Sequence, residues 1–72
     1  MKKSEIRNKI GLRIKELRVQ HNLTQEKFAL MTSINRSYLA DIEKGHRNFG
    51  FDTLERIVEG FGISYSEFFE GL

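Results

Sequence analysis

The stretch NLTQEKFALMTSINRSYLADIEKG, from Asn22 to Gly45, most restricts the folds open to this chain, because two helix starts and two helix stops follow one another within it. Thr24 is suited to cap a first helix, and Gln25, Glu26 and Lys27 make its polar first turn, with Glu26 near the positive helix end. Phe28, Ala29 and Met31 supply apolar positions at helical spacing before the pattern stops at Thr32 and Ser33. Asn35 then caps a second start, Leu39 and Ile42 recur three apart, and Gly45 stands just past the end. Two helices of roughly two to three turns, joined by about three residues, must cross steeply, and neither is stable alone at that length. The first therefore braces the second, and Ala29, small and on the inner face, lets the two backbones approach.

Arg36, Ser37, Tyr38, Ala40, Asp41 and Lys44 fall off the Leu39/Ile42 stripe and face outward. At the start of an exposed second helix, Arg36 and Ser37 are what reading a DNA major groove requires, a guanidinium fork for guanine O6 and N7 and a short adaptable hydroxyl; taken singly each equally fits a solvated helix face, and it is the spacing of the whole unit that favours the groove.

A chain of 72 residues is one domain with a marginal core. It has no Cys and no Pro, so no disulfide or cysteine-based metal site staples it, and association with a second copy is the remaining source of buried area. No apolar run approaches a signal-peptide core or a membrane span, so a cytoplasmic protein without membrane contact is expected. The net charge of +2 is too mild to argue for nucleic acid by itself, but it is unevenly spread. Residues 1–47 carry 11 Lys or Arg against 5 Asp or Glu, and residues 48–72 carry 1 against 5. One end is basic and the other acidic, as expected if one face meets a polyanion.

Met1 to Glu5 reads as a charged, frayed end. Ile6, Ile10, Ile14 and Leu17 then mark an amphipathic helix ending near His21 and Asn22, with Gly11 inside it at a cost of about 1 kcal/mol relative to Ala. Leu12 and Val19 lie off that stripe, and the pattern alone leaves open whether they cover a flank of the core or are exposed. After a polar loop from His46 to Gly50, a fourth helix opens at Asp52 or the residue before it. Leu54, Ile57, Val58 and Phe61 form its apolar face, and Gly60 and Gly62 end it. Ser64 and Glu67 form a capping box for a last short helix with Tyr65, Phe68, Phe69 and Leu72. Adjacent residues point about 100° apart on a helix, so Phe68 and Phe69 cannot fill one pocket: either one of them faces a partner or both pack under a curled C-terminus. No segment alternates like a strand. The expected fold is all-α, five helices in one compact unit spanning residues 1–72, with the C-terminal helix at about 64–72 serving dimerisation.

These residues resemble the phage repressor and Cro-type helix-turn-helix family, also called the Xre family. The resemblance is carried by Leu17-Arg18, Leu23-Thr24-Gln25, Phe28-Ala29, Ser37-Tyr38-Leu39, the run IEKGHRN from Ile42 to Asn48, and TLERI from Thr53 to Ile57. It spans about Ile6 to Phe69 and implies a lambda-repressor-like domain with helices 2 and 3 as the helix-turn-helix. The size, the NRSY opening of the third helix and the paired phenylalanines resemble the small controller proteins of restriction-modification systems. The resemblance implies a homodimer on an inverted repeat of double-stranded DNA, with half-sites about 10 base pairs apart. Arg36 and Ser37 fall where the family reads base edges, and Asp41 at a further such position. Its carboxylate either accepts from cytosine N4, orients Arg36 or Tyr38, or acts against wrong sequences. Gln25 occupies the phosphate-contact position at the start of the bracing helix, and Arg47 and Asn48 hold the backbone on the other side, with Tyr38 and Lys44 as lesser contacts. Arg18 and Glu43 fall where many members have a partly buried ion pair. Tyr65, Phe68 and Phe69 are the expected dimer contacts. The turn position of Ser33 is often glycine, so this turn is either strained by about 1 kcal/mol or takes another conformation.

The function expected is thus a dimeric, sequence-specific transcription regulator, activator or repressor. The competing reading is a protein-interaction module, antitoxin-like or an adaptor, that uses the acidic aromatic end. Catalysis is not expected: His21 and His46 have no ligand spacing, Asp41 and Glu43 face different ways, and no phosphate loop or activated nucleophile is visible. No cofactor, metal or small-molecule ligand is implied.

Overall fold

The computed structural model describes residues 5–72. Among these it forms five α-helices and no strand: α1 (Glu5–Gln20), α2 (Gln25–Thr32), α3 (Arg36–Glu43), α4 (Phe51–Phe61) and α5 (Tyr65–Phe68). Residues 1–4 of the expected frayed end lie outside the described residues, and Glu5 already belongs to α1.

Short-range chemistry sets the boundaries. Thr24 Oγ1 accepts from the Lys27 N–H at 3.0 Å, Asn35 Oδ1 from the Tyr38 N–H at 3.1 Å, and Ser64 Oγ from the Glu67 N–H at 3.0 Å. Each satisfies one of the donors a helix start leaves without an intrahelical acceptor. The first three helices end alike, each on one left-handed residue: Asn22 (φ 57°), Ser33 (φ 59°) and Gly45 (φ 78°). At each end the next residue's N–H reaches back five positions, Leu23 to the Arg18 carbonyl at 3.0 Å, Ile34 to Ala29 at 3.0 Å and His46 to Asp41 at 2.9 Å. Ser33 therefore adopts the strained alternative, because the tight reversal between α2 and α3 requires positive φ whatever residue occupies it.

The core gathers Ile14 and Leu17 of α1, Phe28 and Ala29 of α2, Ile34, Leu39 and Ile42 around α3, Ile57, Val58 and Phe61 of α4, and Phe68 of α5. Phe28 and Phe61 stack with ring centroids 4.3 Å apart. α1 lies against α3 and α4, and α2 against the same two helices. Gly11 is where α1 crosses α3: a Cβ there would lie 2.6 Å from the Glu43 carbonyl oxygen and overlap that of Ile42. Its lack of a side chain permits this crossing, which outweighs its poor helix propensity.

Three expectations change, and one open question closes. Ile6 is 58 % exposed, because the first turn of α1 overhangs the core, and with Ile10, Phe49, Phe51 and Leu54 it lines an open apolar groove of about 360 Å³. Met31 is exposed, one position past the face α2 turns to α3 and α4. Gly60 does not end α4. It lies within the helix, where a Cβ would meet Thr32 Cγ2 at 2.6 Å, and Gly62 (φ 70°) makes the stop. Leu12 and Val19, left open by the pattern, are both exposed.

Candidate nucleic-acid interface

The surface is built on α3. Asn35 caps it, Leu39 and Ile42 hold it to the core, and the opposite face carries Arg36 and Ser37, both exposed in its first turn. No ion pair among the described residues ties down Arg36.

Behind α3, Glu43 is buried among three donated hydrogen bonds. Arg18 Nε reaches its Oε2 at 2.8 Å, and Arg18 Nη2 and Gln25 Nε2 reach its Oε1 at 3.1 and 3.0 Å. Arg18 Nη1 also donates to the Leu23 carbonyl at 2.8 Å. Side-chain exposure is 11 % for Arg18 and 3 % for Glu43, so the carboxylate has exchanged water for a fixed set of donors. The knot joins the end of α1, the start of α2 and the end of α3. The Gln25 side-chain amide, expected at the phosphate-contact position, is directed inward to Glu43. Gln25 remains the first residue of α2, where the backbone N–H has no intrahelical acceptor.

A second cluster lies where α3 runs into the following loop. The Tyr38 hydroxyl donates to the Asn48 carbonyl at 3.1 Å, and the Arg47 guanidinium carbon lies 4.8 Å from the Tyr38 ring centroid. Arg47 Nη1 also lies 3.7 Å from Asp41 Oδ2. Asp41, expected as a further base-reading position, has its carboxylate beside the Arg47 guanidinium. Neither Arg36 nor Tyr38 is the group it faces. Lys44, His46, Arg47 and Asn48 are exposed beside it.

The far end holds the apolar residues expected at a dimer contact, with one correction. Phe68 is wholly buried, leaving nothing for a partner to touch, whereas Phe69 is 38 % exposed and packs edge-on against it at 5.0 Å. Tyr65 is exposed too, and local desolvation with the carboxylates of Glu55 and Glu59 pushes its phenol above the ordinary 10.0. Sequence reasoning missed Arg13. Its Nε and Nη2 donate to the Phe68 and Glu67 carbonyls, both at 2.7 Å, and its Nη1 pairs with Glu16 at 2.8 Å. A partner 55 residues away leaves no local signal.

Among the described residues, no cluster of His, Cys, Asp or Glu could hold a metal ion, and no helix is long and apolar enough to cross a membrane. A family model described as a helix-turn-helix domain matches residues 11–71. The control protein C.MunI of Mycoplasma sp is 37 % identical over 70 residues, covering 96 % of this chain and 95 % of that protein. The control protein C.BamHI of Bacillus amyloliquefaciens is 34 % identical over 61 residues, covering 83 % and 75 %. The crystal structure of the restriction-modification controller protein C.Esp1396I superposes with a TM-score of 0.88 at 34 % identity, over 94 % of this chain and 87 % of that one. The same protein bound to a 25 base pair operator site gives 0.86 at 34 % identity, over 94 % and 90 %.

Proposed function

This chain belongs to the helix-turn-helix family of transcription regulators, and on that premise we propose that it is a sequence-specific DNA-binding regulator acting as a homodimer on an inverted-repeat operator, in the manner of restriction-modification controller proteins. The observation that carries this reading is α3 itself: an eight-residue helix with Arg36 and Ser37 exposed on its leading turn, braced from behind by the Arg18–Glu43–Gln25 knot. A helix that short holds no fixed orientation alone. Tied at its far end to α1 and α2, it enters a groove as a rigid probe.

In this reading Arg36 and Ser37 read base edges in the major groove, and Arg47, Asn48 and Lys44 grip the flanking phosphates. Tyr38 serves the phosphate side by holding Arg47 and Asn48, and the start of α2 offers the Gln25 backbone N–H to a phosphate oxygen. Residues 1–72 act as one unit, Tyr65 and Phe69 supply the contact between protomers, and the protein works in the cytoplasm. A C2 dimer then presents two recognition helices about 34 Å apart, one turn of DNA, which makes an inverted repeat the matching site.

Selection of bound sites from random duplex DNA tests the reading, with a symmetric motif expected. On that motif Arg36→Ala is expected to weaken binding by about 1–3 kcal/mol and relax the preference at one base pair of each half-site. Arg47→Ala is expected to weaken all sequences alike and reduce the slope of log K against log salt by about one charge per protomer. A wild type that recovers no motif, and binds random duplexes as tightly as any selected one, would overturn the reading.

A further inference from the structure

α5 is a single turn of four residues, too short to persist by its own hydrogen bonds. From Ser64 to Leu72, Phe68 alone is buried. One apolar anchor fixes the position of such a segment but not its orientation. The second anchor is Arg13, which is 13 % exposed and spans the Glu67 and Phe68 carbonyls at the end of α5 with two charged donors, while Glu16 fixes the third arm of the guanidinium.

Arg13 stands two residues beyond Gly11, where the backbone of α1 presses on the Ile42 and Glu43 carbonyls at the end of α3. One helix thus touches both the element that reads DNA and the element that carries the exposed Tyr65 and Phe69. Resting on the regulator reading above, we propose that Arg13 is a positioning residue for operator binding: it locks α5 to α1, so that a dimer formed through α5 holds its two α3 helices at one separation. DNA converts a one-base-pair change in half-site spacing into about 3.4 Å of translation and about 35° of rotation. Discriminating such a change requires a stiff path from dimer contact to reading head, and the path through Arg13 and α1 is shorter than the chain through α4 and its loops.

Arg13→Ala and Arg13→Lys would be compared with wild type by sedimentation equilibrium, by thermal melting, and by titration onto the selected operator and onto versions with one base pair added or removed between half-sites. Both charge-assisted hydrogen bonds to α5 are lost in Arg13→Ala, so dimer dissociation is expected to rise about tenfold or more and the preference for native spacing to fall at least about threefold. Arg13→Lys preserves the cation and the stem but not the fork, and is expected to fold as wild type with a partial loss of spacing preference. A dimeric, spacing-selective wild type whose folded variants keep the same dimer constant and the same spacing preference overturns the inference alone, even if melting falls, since the clamp would then be merely structural. A wild type that is monomeric, or indifferent to spacing, overturns the regulator reading with it.

Discussion

The Asp41 carboxylate lies 3.7 Å from the Arg47 guanidinium, and if Arg47 grips phosphate as proposed, nucleic acid and Asp41 compete for one cation. Both side chains are substantially exposed, which limits the pair to about 1 kcal/mol. Asp41→Asn is therefore expected to tighten operator binding about two- to fivefold, and in an Arg47→Gln background the effect should disappear. A weaker Asp41→Asn complex with relaxed base preference would instead mark Asp41 as a reader. Glu43 is the opposite case, an acid with three donors and almost no water. Glu43→Ala strands the Arg18 charge, and a loss of about 3–5 kcal/mol is expected in thermal melting, with an unchanged melting temperature counting against the brace.

At the scale of the helices, the reversal between α2 and α3 is bought with one serine in left-handed geometry. Glycine removes the Cβ conflict but gains freedom in the unfolded chain, so Ser33→Gly is expected to stabilise by a net of about 0.5 kcal/mol, roughly 2–4 °C in melting temperature. Calorimetry showing a loss would mean that the serine is better accommodated than its φ suggests. Helix existence and caps were legible in the sequence because Thr24, Asn35 and Ser64 act on amides three residues away. Where the core stops was not: Ile6 and Met31 fit the period, yet period says which residues share a face, not whether anything covers it. Gly60 read as a stop because glycine as space for a neighbouring helix and glycine as a terminator look the same in a string. Of the candidate site, Arg36 and Ser37 followed from their place on α3, while the inward turn of Gln25, the Asp41–Arg47 pair and the reach of Arg13 depend on partners that only the tertiary arrangement brings near.

For the molecule as a whole, Phe68 is buried in the core and Phe69 is exposed beside it, and in the proposed dimer the pair divides folding from assembly. Phe68→Ala would open a core cavity and is expected to cost about 3–5 kcal/mol, enough to unfold a domain of this size. Phe69→Ser leaves the core intact, so its protomer is expected to remain helical while dimer dissociation rises about tenfold or more, read by sedimentation. A Phe69→Ser dimer as tight as wild type would remove α5 from the protomer contact. The bare backbone of Gly11 against the end of α3 carries a consequence for descent as well as mechanics. Under the proposed reading by Arg36 and Ser37, both exposed, a lineage carrying this domain can exchange those two side chains without disturbing the scaffold, and so acquire new target sequences one substitution at a time. It cannot add even a methyl group at position 11 without tilting the reading head. Divergence in this chain is free in vocabulary and fixed in posture.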